Sequence, residues 1–123
     1  MSKHAGRLKR FRSGMVMFDA AEFYRVVKAQ CLRYGHSPLR AAIYATLALE
    51  ECMNDPGTPD RLPFLSTIGA VALSDVERLA PADDEEAAEK RDLLEAYDRH
   101  DHKSLTPLLD QWRKVQQEMK TDF

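Results

Sequence analysis

The side chains best suited to metal chemistry gather near the carboxyl end, where His100 and His102 flank Asp101 and follow Asp98. Imidazole and carboxylate are transition-metal ligands, but a centre needs three or four of them converging on one point. A His-x-His pair at a helix end projects its two rings about 200° apart unless the segment is extended. These residues are therefore read as solvated polar groups at a helix end, and neither a metal nor a cofactor is expected.

Nucleophilic chemistry finds no better footing. Ser37, Ser66 and Ser74 fit helix caps or core-edge positions, and none sits in a Gly-x-Ser-x-Gly elbow. Cys-x-x-Cys, His-Glu-x-x-His, phosphate-loop and dinucleotide patterns do not occur. His36 reads as a turn residue between two helices. Carboxylates are plentiful in residues 83–102, but a general acid needs a desolvated setting to raise its pKa, and that segment reads as exposed. No catalytic residue is assigned. An enzyme built on this chain would use a dispersed or metal-dependent site, which is the third of three functional readings.

Charge is distributed unevenly, and the other two readings come from it. Residues 1–18 hold Lys3, Arg7, Lys9, Arg10 and Arg12 without an acid, a local charge of +5. Residues 83–102 hold Asp83, Asp84, Glu85, Glu86, Glu89, Asp92, Glu95, Asp98 and Asp101 against Lys90, Arg91 and Arg99, a balance of −6 within a chain of net −2. The first reading is a small regulatory or adaptor protein that binds another macromolecule, a protein, through charged helix surfaces. Its candidate contacts are Lys3, Arg7, Lys9, Arg10, Phe11 and Arg12 on the arm, and Asp83, Asp84, Glu85, Glu86 and Glu89 on the acidic helix. The second is a nucleic-acid-associated protein whose arm lies along the phosphate backbone, with salt-sensitive and sequence-tolerant affinity.

A helix-turn-helix outline around Gly35, His36 and Ser37 does not make a reading head. The groove-facing positions of the second helix would be Ser37, Pro38, Leu39, Ala42, Ile43 and Thr46, only two of which carry a hydrogen-bonding side chain.

The elements that position these residues follow from apolar spacing. Asp19 and Glu22 have the form of a cap and first-turn acid, and Phe23, Val26, Val27, Cys31 and Tyr34 recur at helical intervals up to a stop at Gly35. Ser37 followed by Pro38 opens a second helix, residues 38–53. Its segment 41–49 has no charge and no glycine, as in a helix surrounded by neighbours. Three prolines make residues 54–63 a loop. Residues 64–80 read as a third helix, with a break expected near Leu73 because Gly69 weakens it and Ser74 to Glu77 offers a fresh cap. A fourth helix, 82 to about 100, has an acidic first turn and only Leu93, Leu94 and Tyr97 as large apolar residues, so it is expected to be the most solvated element. Thr106 and Pro107 open a fifth, whose stripe of Leu105, Leu108, Leu109, Trp112, Val115 and Met119 is expected to pack on the second.

The expected fold is therefore all-α: one bundle of about five helices around a central apolar helix, 38–53, in a domain of residues 19–123 preceded by a flexible basic arm, 1–18. At 123 residues, with 44% hydrophobic and 31% charged side chains, the chain is long enough to bury a core without staples. Cys31 and Cys52 fall about 15 Å apart along an antiparallel hairpin at 1.5 Å per residue, too far to bridge, which fits a reducing, cytoplasmic setting. The uncharged run 62–74 is too short to span a membrane, and the apolar run 15–18 too short for a signal-peptide core. The acid-free start, with Leu8, Phe11, Met15 and Phe18 on one helical face, also has the form of an organellar presequence. A homodimer would use apolar surface left over on the second and third helices.

Overall fold

Tyr24, Val27 and Cys31 lie three and four residues apart, so on a 3.6-residue helix they share a face, and in the computed structural model all three are buried. The structure describes residues 20–53, 67–99 and 101–121. Among them are five α-helices: α1 (Ala20–Arg33), α2 (Pro38–Met53), α3 (Thr67–Arg78), α4 (Asp84–Asp98) and α5 (Thr106–Thr121), with one 3-10 turn (His102–Leu105) before α5 and no strand. The expected all-α bundle is the observed one. The basic arm, the Asp19 cap and the loop 54–63 lie outside the described residues.

The turn between α1 and α2 reverses the chain through a residue in the left-handed region. Gly35 has φ +92°, His36 N donates to Cys31 O at 3.1 Å and Gly35 N to Leu32 O at 3.0 Å, the paired bonds of a Schellman stop. Ser37 then caps α2, its hydroxyl accepting from Arg40 N at 3.1 Å. No atom lies within 4 Å of a Cβ built on Gly35, so Gly35→Ala meets backbone strain alone. It is expected to destabilise the fold by about 1 kcal/mol in urea unfolding.

α2 touches all four other helices. Every residue from 41 to 50 is buried, including Ile43, Tyr44, Leu47 and Leu49, and burying each such large side chain contributes about 1.5–3 kcal/mol. Thr46, the lone aliphatic hydroxyl in that run, donates to Ala42 O at 2.8 Å, which satisfies it inside the helix. Leu39, Ala42, Ile43 and Thr46, four of the six positions a reading head would need, are wholly enclosed.

Three expectations are corrected. α3 runs unbroken through Leu73, because Ala72 and Val76 both face the core and Asp75 is held by Tyr24 and Lys28 instead of capping a new helix. α4 starts at Asp84 with Asp83 as its cap, and it is not the most solvated element: Glu86, Glu89, Leu93, Ala96 and Tyr97 are all buried. Thr106 is itself helical, at φ −52° and ψ −48°, because the 3-10 turn leads directly into α5. The α5 stripe packs as expected, with Leu105, Leu108, Trp112, Val115 and Met119 buried and Trp112 stacked on Tyr44 at 5.6 Å. No described helix is long and apolar enough to cross a membrane.

Candidate protein-binding groove

The acidic helix carries two populations of carboxylate with different employment. Glu86 and Glu89, 4% and 8% exposed, face inward. Glu86 accepts from the Ser37 hydroxyl at 2.8 Å and from Ala82 N at 3.1 Å. Glu89 takes both arms of Arg40, at 3.0 and 2.9 Å, and a third bond from Gln111 Nε2 at 3.0 Å. The fork geometry of guanidinium and carboxylate makes this a strong pair, and it pushes the Arg40 pKa up. Gln111 also donates to Tyr44 Oη at 2.7 Å, so one network ties α2, α4 and α5. Burial pushes the Tyr44 phenol up, with the Gln111 bond opposing. His36 rests its ring edge on Tyr44 at 5.3 Å, where burial and then the Arg40 charge hold its pKa below 6.5.

The outward population is different. Asp83 is exposed and spends one oxygen on the Glu86 amide at 2.9 Å as the N-cap. Asp84 is exposed, and Glu85 is exposed with Arg40 at 3.4 Å. Of the five acidic contacts expected from sequence, then, three face water and two are spent inside. The six arm residues from Lys3 to Arg12 lie outside the described residues.

Further along α4, Glu95 and Asp98 are exposed and border a feature that sequence reading had not assembled. Between the antiparallel α3 and α4 runs an open groove of about 500 Å³, lined by Leu73, Ser74, Glu77, Leu94, Glu95, Tyr97 and Asp98. Leu73, Leu94 and Tyr97 form an apolar floor, and Glu77, Glu95 and Asp98 a carboxylate rim. Tyr97 also anchors the floor to the core, its hydroxyl donating to the buried Glu50 at 2.6 Å. Burial and the Glu50 charge push its pKa far up. At the end of α3, Lys90 donates to the carbonyls of Glu77 and Leu79 at 2.8 and 2.7 Å, closing the helix and tying it to α4. Among the described residues, Arg99 is the cation paired to the rim, 3.5 Å from Glu95 and well exposed. A signal was present: Leu73 with Glu77 and Leu94 with Asp98 are apolar–acid pairs four residues apart, on helices joined by a short Pro81 turn.

On its other side α3 is held by α1. Asp75 accepts from Tyr24 Oη at 2.7 Å and from Lys28 Nζ at 2.6 Å, and Arg78 completes the cluster. Burial pushes the Asp75 carboxyl up, but these bonds and the two cations outweigh it, leaving the pKa below 3.8. A carboxylate depressed in the fold adds stability above its unfolded pKa and loses it as pH falls through the folded value. Asp75→Asn is therefore expected to flatten the fall in stability between about pH 5 and pH 2 in acid-unfolding curves.

Among the described residues no group of three or more His, Cys, Asp or Glu side chains is placed to hold a metal ion, and the side chains of His100 and His102 lie outside them. Cys31 is a free thiol, buried, with its pKa pushed up to about 11 by that burial. Trp112 Nε1 is a buried donor without a hydrogen-bond partner among the described residues.

No family model matches the chain, and no curated protein or solved structure matches it either. The groove's own chemistry has to carry the functional reading.

Proposed function

We propose that this chain is a small non-enzymatic adaptor or regulatory protein that binds a protein partner in the α3–α4 groove, the partner supplying a cationic amphipathic segment. The observation that carries this is the pairing of an apolar floor, Leu73, Leu94 and Tyr97, with the exposed carboxylates Glu77, Glu95 and Asp98. A helix laid in such a groove buries its apolar stripe on the floor, and lysines or arginines beside the stripe meet the rim. Rim charges act mainly on association rate and choice of partner, and the floor on affinity. The buried thiol of Cys31 supports a reducing compartment, so the site of action is proposed to be cytoplasmic.

The test is fluorescence polarisation of a labelled leucine–lysine amphipathic peptide against the full chain. Reversing two rim charges, Glu95→Lys with Asp98→Lys, is expected to weaken binding about tenfold, which corresponds to about 1.4 kcal/mol. Leu94→Asp is expected to abolish it. Equal affinity across the three proteins contradicts the proposal. Binding of labelled duplex DNA that depends on Arg7, Arg10 and Arg12, with the peptide ignored, would favour the nucleic-acid reading instead.

A further inference from the structure

We infer that, before any partner arrives, the α3–α4 groove is occupied by the chain's own basic arm, which acts as an internal competitor for the site. The inference rests on the groove being a docking surface, and three observations carry it.

Charge is the first. The arm holds five basic residues and no acid, and the rim presents Glu77, Glu95 and Asp98, all exposed. The spacing of the arm's apolar residues is the second. Leu8, Phe11, Met15 and Phe18 stand three or four apart, so a helical arm would present them as one stripe to the leucine and tyrosine floor. Attachment is the third. Tyr24 and Lys28 tie α1 to Asp75 on the side of α3 away from the groove, so an arm preceding α1 has only the exposed face of α3 to cross. Val71, 53% exposed one turn earlier on α3, continues an apolar path from that point. Phe11 lies nine residues before Ala20, and an extended chain of that length reaches about 30 Å.

Exposed ion pairs contribute little on their own. Tethering changes that, because a short linker holds the arm at a millimolar effective concentration. A partner carrying the same chemistry must then displace it, and its apparent affinity falls by the fraction of molecules whose groove is open.

The test uses the full chain with Cys52→Ser and Ser13→Cys, carrying a nitroxide on residue 13. Cys31 is wholly enclosed and is spared. In nitrogen-15 spectra the amides of residues 73–77 and 94–98 are expected to broaden relative to the reduced label, and Glu77→Lys, Glu95→Lys and Asp98→Lys together are expected to restore them. Absent broadening, or broadening centred elsewhere, overturns the inference. So does groove broadening that appears equally when spin-labelled unenriched protein is mixed with unlabelled nitrogen-15 protein, since the arm would then belong to a second copy. Arg7→Gln, Lys9→Gln and Arg10→Gln together are expected to tighten leucine–lysine peptide binding about threefold or more. If the peptide moves the groove amides while the arm does not, this inference falls and the adaptor reading stands. If neither does, both fall.

Discussion

Leu47→Ala is expected to lower the stability of the fold by about 3 kcal/mol, within the 2–5 kcal/mol typical of leucine truncation in a filled core. Leu47 is wholly enclosed at the middle of α2, the helix that all the others touch, so the space it leaves is bounded by elements that cannot all close in on it. For a chain of this length the loss corresponds to a fall in Tm of about 10–15 °C. Val71→Ala, on the exposed face of α3, is expected to change stability by no more than about 0.5 kcal/mol. Urea unfolding of the two variants side by side checks the contrast, and equal effects would mean that α2 is not the core.

The second large effect is expected from Glu89→Ala, at about 2–4 kcal/mol. Removing one member of a buried pair strands the other, which costs about 3–5 kcal/mol when both are enclosed. The Arg40 side chain keeps 23% of its exposure, so part of that cost is recovered through water and Glu85. The loss also leaves Gln111 with one hydrogen-bond acceptor fewer. Glu85→Ala removes a carboxylate from the same arginine, yet that residue is 73% exposed, and the expected change is about 0.5 kcal/mol or less. The double variant Arg40→Met with Glu89→Leu is expected to recover much of the single-variant loss, since an apolar pair leaves no charge stranded. Denaturant midpoints of the four proteins check this, and a Glu89→Ala midpoint equal to that of Glu85→Ala would contradict the assigned network.

The helices were legible because their signals are local. Gly35 for the stop, Ser37 and Pro38 for the start, and an uncharged run that only enclosure can accommodate mark α1 and α2 within a few residues of their observed ends. The α5 stripe was legible for the same reason, since period and composition agree along its length. What escaped was non-local. Glu86 and Glu89 read as members of a solvated acidic row, because nothing in α4 announces that Ser37 and Arg40, some fifty residues earlier, will meet them. Glu50 likewise closes an apolar run as an ordinary helix-end acid until Tyr97 is brought against it. The expected break at Leu73 weighed capping chemistry at Ser74 and Asp75 above the burial of Ala72 and Val76, and tertiary contact decided it the other way. The groove has the same origin: each wall was visible as an apolar–acid pair, and only the antiparallel setting of α3 against α4 turns two pairs into a floor and a rim.

The central claim is that α2 is closed to everything but its own neighbours while recognition falls to the α3–α4 groove. Hydrogen exchange of the full chain, read by mass spectrometry with and without the leucine–lysine peptide, tests both halves together. The predicted result is that amides of residues 42–50 exchange slowest and are unchanged by the peptide, while residues 73–77 and 94–98 gain protection when it is added. Faster exchange in α2 than in α3 and α4, or protection gained anywhere other than the groove, would contradict it.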